Sequence, residues 1–180
     1  VLDLYLLSTS RLTSLVKAAG LQGAALAFLA LAFAGWPLAG KDIHLIIMSV
    51  GTLALKALVI PMLVLRAVRE ANVRREVEPF VSLHLSMLMA ATLVGISFWL
   101  ATVLVLPRPA PLALVVPAAF ATLLLGFLLL VTRQKAVTQV VGYLTIENGV
   151  FMFGQTIARE IPFVVELAIL LDLLVGVFVM

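Results

Sequence analysis

The 180-residue chain contains no cysteine, which excludes disulfides, thiolate metal sites, iron–sulfur ligation and cysteine nucleophiles within it. Any redox centre it serves has to sit in another subunit. Charge is the second scarcity: Asp, Glu, Lys and Arg make up 12% of the residues, against roughly 25% in an ordinary soluble domain. His44 and His84 are the two histidines; lying far apart in the chain, they make no metal site. Motifs for nucleotide, phosphate, haem or hydrolytic chemistry are also missing. What fills the chain instead is apolar: 64% of residues are hydrophobic and the mean hydropathy is +1.24. An integral membrane protein is the expected class. The net charge of +3 and pI near 9.7 would suit a nucleic-acid partner if the basic residues formed a stripe on a soluble face. They cluster at the ends of apolar runs, as membrane topology requires. No cleavable signal peptide is recognisable in the first residues. Met180 falls inside an apolar run, so the gene product is expected to be longer.

Six runs are long enough to span a bilayer: 18–36, 43–66, 80–106, 111–132, 136–158 and 162–180. The fold expected is therefore all-α and polytopic, with about six transmembrane helices in one membrane domain, 1–180. Breakers separate the runs at Trp36-Pro37, Gly40-Lys41-Asp42, the charged stretch Arg66 to Pro79, Pro107-Arg108-Pro109, Arg133-Gln134-Lys135 and Arg159-Glu160-Ile161-Pro162. In residues 2–17 Asp3, Ser8, Ser10, Arg11, Thr13 and Lys17 interrupt the leucines, which predicts an interfacial extension of the first helix. Arg11, Lys17, Arg66, Arg69, Arg74, Arg75, Arg133 and Lys135 fall on one side of this topology, and Lys41, Arg108 and Arg159 on the other. The excess places both termini and the richer loops in the cytoplasm.

Some ionisable residues lie where a bilayer penalises them. Glu147 follows Lys135 by twelve residues, which at 1.5 Å per residue puts it roughly 18 Å into a hydrocarbon core about 30 Å thick. A charge at that depth costs on the order of 2.5 to 3.5 kcal/mol, so such residues face a bundle interior, water or a partner. Lys56, ten residues before Arg66, is at mid-depth by the same count, about 15 Å in. Its stem is short for snorkelling from there, which leaves a functional group or a static ion pair. Pro61 follows five residues later and is expected to loosen the helix beside it. In the last run Glu166 and Asp172 lie about 6 and 15 Å past Pro162 and point roughly 120° apart. Glu166 is the shallower and Asp172 the deep one. His84 and His44 lie near helix ends, where interfacial roles prevail. Tyr143, Thr145, Asn148 and Gln155 flank Glu147 and suit hydrogen bonds across helices, held water or packing. Burial disfavours the charged form of acids and lysines alike, which fits mid-depth groups to proton transfer.

The stretch Gly142-Tyr143-Leu144-Thr145-Ile146-Glu147-Asn148-Gly149-Val150-Phe151, preceded by Arg133 and Lys135, resembles the membrane subunit called hydrogenase-4 component E. The resemblance extends to Lys56 through Pro61 and to the ending Leu171-Asp172-Leu173-Leu174-Val175-Gly176-Val177-Phe178-Val179-Met180. The last three helices, 110–180, are in turn similar to subunit K of respiratory complex I, a three-helix bundle with buried glutamates on its second and third helices; 1–109 would hold the three helices before them. In that comparison Glu147 takes the place of the second-helix glutamate. Asp172, with Gly176 four positions on, matches the third, and Glu166 is its neighbour. The resemblance implies a non-catalytic subunit of a formate hydrogenlyase type complex that couples redox chemistry to proton or sodium translocation. Glu147, Asp172, Glu166 and Lys56 would form the proton relay, with His84, Tyr143 and Asn148 as accessories. No cofactor is expected in this chain; iron–sulfur clusters and a nickel–iron site would belong to partners, namely a soluble hydrogenase-like arm, antiporter-like membrane subunits and a membrane anchor of the complex I kind. The cytoplasmic membrane of a bacterium or archaeon is the expected location. A purely structural scaffold is the alternative, with a stand-alone small transporter behind it.

Overall fold

The computed structural model describes residues 2–34, 50–51, 53–70, 81–104 and 114–157. Glu166, Asp172, His44 and the last apolar run lie outside the described residues, and so does the whole segment between the first two runs. Everything described is helical apart from short turns. A short helix α1 (Leu2–Ser8) is followed by the long α2 (Leu12–Ala34). A π-helical stretch (Leu53–Val59) leads into α3 (Ile60–Glu70). Then come α4 (Leu83–Val103), α5 (Val115–Thr132) and α6 (Ala136–Ile157). Three segments, Leu12–Leu29, Leu83–Val103 and Val115–Thr132, are long and apolar enough to cross a membrane by length and composition. The chain thus has a helical fold of membrane type.

The beginning of the chain departs from the interfacial helix that its polar residues predict. The helix closes at Ser8, where Thr9 N–H donates to Tyr5 O at 3.1 Å and Ser8 Oγ donates to the same carbonyl at 2.9 Å. A new helix opens at Arg11, whose carbonyl accepts from Ser14 N and Leu15 N, both at 3.0 Å. α1 therefore folds back antiparallel on α2, with Asp3 reaching Gln22. Leu6 and Leu7 are fully buried with Leu12, Leu15 and Leu129. The far end of α1 is fastened by Arg133, itself buried, whose guanidinium donates to Leu7 O at 2.7 Å. A cation on a helix's last carbonyls satisfies groups that the helix leaves unpaired. Arg11, Thr13 and Lys17 are exposed, so the polar pattern of this segment marks one solvated edge of a buried hairpin.

α5 and α6 form the tightest pair, an antiparallel hairpin closed by Arg133-Gln134-Lys135. Gly149 permits their approach: a Cβ there would lie 2.7 Å from Leu123 N and 3.0 Å from Ala119 O. Small residues at such crossings bring backbones together where lipid gives no hydrophobic drive for association. Phe120 and Phe153 close the far end with ring centroids 5.0 Å apart. α2 crosses the π-helical stretch as closely, since a Cβ at Gly23 would lie 2.7 Å from Lys56 Cβ and 2.9 Å from its carbonyl. Pro61 explains why the helix changes period here. Without an N–H it cannot close the α-helical bond to Ala57 O, and a wider π turn upstream absorbs the defect. α4 packs on α1 and α5 through small residues, burying Ser86, Ala90, Ser97 and Ala101. The rest of α4 is exposed and apolar, including Leu88 at 66% and Trp99 at 65%.

Candidate functional site

The crossing of α2, the π-helical stretch and α6 brings together residues that the sequence singles out one by one. Lys56 and Glu147 are both only 6% exposed. Lys56 Nζ lies 3.9 Å from Glu147 Oε1, donates to Asn148 Oδ1 at 3.2 Å, and sits 5.1 Å from the centroid of the Phe151 ring. The cation is thus held by a carboxylate, an amide oxygen and an aromatic face, each of which favours positive charge. Gly23 fixes its backbone from the other side. A cavity of about 10 Å³ adjoins it, lined in part by Lys56, Asn148, Pro61 and Val141. That is about the room one water needs, beside two polar side chains able to bind it.

The polar contacts continue past Asn148. Its Nδ2 donates to Gln22 Oε1 at 3.2 Å, and Gln22 Nε2 donates to Asp3 Oδ1 at 2.6 Å. Thr122 Oγ1 lies 3.0 Å from Asp3 Oδ2. One polar layer therefore joins α5, α1, α2, α6 and the π-helical stretch in the order Thr122, Asp3, Gln22, Asn148, Lys56, Glu147. Asp3 belongs to the short helix outside the candidate spans; burial raises its carboxyl above the ordinary range, while the hydrogen bonds from Thr122 and Gln22 oppose that shift.

Of the residues expected from sequence, Lys56, Glu147 and Asn148 meet here. Tyr143 lies one helical turn before Glu147, partly buried against the core. His84 is exposed in the first turn of α4, outside this layer. Glu166 and Asp172 fall outside the described residues. Asp3, Gln22 and Thr122 are the members that sequence reasoning missed, the first because it was assigned to an interface. Gln22 carries a usable signal: it stands ten residues into α2, about 15 Å along the helix by its rise. Among the described residues no set of three or more His, Asp or Glu side chains converges as metal ligands would.

The fold and the site define a class: an all-helical protein of membrane type whose interior encloses a charged and hydrogen-bonded layer. Over 169 residues the chain is 36% identical to the Uncharacterized protein Rv0085 of Mycobacterium tuberculosis (strain ATCC 25618 / H37Rv). That alignment covers 93% of this chain and 76% of the relative, and the chain belongs to the family of that protein. No family model matches it, and no solved structure does.

Proposed function

We propose that the chain is a non-catalytic integral membrane subunit of a complex I-related complex of the hydrogenase-4 or formate hydrogenlyase type. Its part is to supply buried ionisable groups to a lateral proton relay that couples redox chemistry to proton or sodium translocation. The observation that carries the reading is the meeting of Lys56 and Glu147 in the protein interior, 3.9 Å apart and beside space for a water. Groups of this kind are costly in a membrane protein and are kept where protons or ions move. The likeness of the Glu147 segment to hydrogenase-4 component E supplies the context. On this reading Asp172 and Glu166 continue the relay from a sixth membrane helix, and Tyr143, Asn148 and His84 assist. The partners are antiporter-like subunits, a membrane anchor of the complex I kind and a soluble arm holding iron–sulfur clusters and a nickel–iron site. The protein crosses the bacterial or archaeal cytoplasmic membrane six times with both termini inside.

The test is Glu147→Gln in the intact complex. Assembly is expected to persist while ions moved per electron fall; unchanged pumping by an assembled complex overturns the role. A second reading, favoured by the fixed geometry of the Lys56–Glu147 pair, makes the layer a scaffold joining the antiporter-like subunits to the redox arm. Infrared spectra recorded during turnover separate the two, because a scaffold shows no protonation change at these acids.

A further inference from the structure

Asp3 and Gln22 take no part in the relay described above, yet they stand in line behind Asn148, which meets Lys56. A carboxamide has two ends of nearly equal shape and opposite chemistry, an oxygen that accepts and an NH2 that donates. Turned end for end it fills the same space, so packing alone hardly selects a direction. At Asn148 the direction decides the chemistry of the site. Its Oδ1, 3.2 Å from Lys56 Nζ, accepts from the ammonium; turned round, the same side chain would set a second donor against a group that only donates. Whatever else Lys56 binds, that requirement stands.

The direction is fixed from the far end of the line. Asn148 Nδ2 donates to Gln22 Oε1 at 3.2 Å, and Gln22 Nε2 donates to Asp3 Oδ1 at 2.6 Å. Asp3 Oδ1 accepts, so Gln22 has to present its nitrogen to Asp3 and its oxygen to Asn148. Asn148 then has to turn its own nitrogen to Gln22 and its oxygen to Lys56. Reversing either amide brings two oxygens together at one end and two nitrogens together at the other. Gln22 and Asn148 are 6% and 4% exposed, and a mismatch buried there finds no bulk water to relieve it. Thr122 Oγ1, 3.0 Å from Asp3 Oδ2, holds the other carboxyl oxygen. A hydroxyl donates to an ionised acid and accepts from a protonated one, so Oδ1 stays turned to Gln22 as an acceptor whichever charge Asp3 carries.

We propose that Asp3 and Gln22 are positioning residues for Lys56. The carboxyl of α1 sets the direction of two carboxamides in series, on α2 and α6, and the second of them offers its oxygen to the cation of the π-helical stretch. The folding of α1 onto α2 thereby serves the site as well as the packing. The Asn148 oxygen keeps its direction when Lys56 shifts or gives up a proton, because its reference lies at Asp3 and not at the lysine. This goes beyond the relay and holds equally for a scaffold, since it concerns what faces Lys56 and not what passes through it.

The test is magic-angle-spinning NMR of the purified full chain in lipid bilayers, with asparagine and glutamine side chains isotope-labelled. Asn148 is one of two asparagines, and Asn72→Ser isolates its signal. The parent is expected to show a single Asn148 carboxamide whose nitrogen correlates with the Gln22 side-chain carbonyl. Asp3→Leu, which removes the acceptor, is expected to split that signal into two orientations. Thr122→Val, which loosens Asp3 but leaves Oδ1 in place, is expected to keep it single. No correlation in the parent, an unchanged Asn148 in Asp3→Leu, or an equal change in Thr122→Val overturns the proposal. Melting temperatures decide if Asp3→Leu does not fold. Asn148→Asp sets Gln22 between two carboxyls and is expected to lower the melting temperature; adding Asp3→Asn reverses every bond of the series and is expected to restore most of the loss, but only while Gln22 is present. No restoration, or a restoration that survives Gln22→Met as a bare charge effect would, overturns it as well.

Discussion

α4 and α6 are of nearly equal length, 21 and 22 residues, and face opposite ways chemically. α4 turns Leu85, Leu88, Ile96, Phe98 and Trp99 outward and buries serine and alanine. α6 turns Thr138, Thr145, Glu147 and Asn148 inward, against other helices. A water-soluble bundle would reverse the first arrangement and seldom permit the second. The difference teaches that in this fold burial and hydrophobicity are separate properties. Apolar side chains are at ease on the outside, and the interior is organised by backbone approach at glycines and by satisfied polar groups.

The largest break in the comparison is expected at Lys56. Lys56→Ala leaves Asn148 without the donor at its Oδ1 and Glu147 without its nearby cation, and should cost about 3 to 5 kcal/mol, measured by denaturant unfolding in detergent. A loss below about 1 kcal/mol would mean that the polar layer does not hold α6 to its neighbours. Gly23→Val comes next. Its side chain would meet the Lys56 carbonyl at 2.9 Å or less, and the forced separation of α2 from the π-helical stretch should cost about 1 to 3 kcal/mol. Thermal denaturation would register it, and a variant as stable as the parent would show that this crossing is loose. The smallest effect is expected on the outer face of α4. Leu88→Ala should change stability by less than about 0.5 kcal/mol, unless a partner helix covers that face in the native membrane, in which case subunit pull-down would weaken while the isolated chain stays unaffected.

Counting residues from charged loops singles out Lys56 and Glu147, which meet in the interior, because position along a straight helix is a local property. The same count suits Asn148, the neighbour of Glu147. Asp3 escapes it, since its placement beside Gln22 and Thr122 is set by the reversal at Thr9 to Arg11 and not by distance from a boundary. No period in the sequence announces that reversal: the leucines of 2–17 look alike whether the helix continues or turns back. The pairing of Lys56 with α6 is equally tertiary, because it depends on glycines that meet backbone far along the chain from the acid they help to place.

The π-helical stretch carries one further implication. A π turn holds one residue more than an α turn, and one residue on a helix is a rotation of about 100°. Length in Leu53–Val59 therefore works as an angle setting. Deleting a single residue between Lys56 and α3 would swing the cation around the helix axis, away from Glu147 and Asn148.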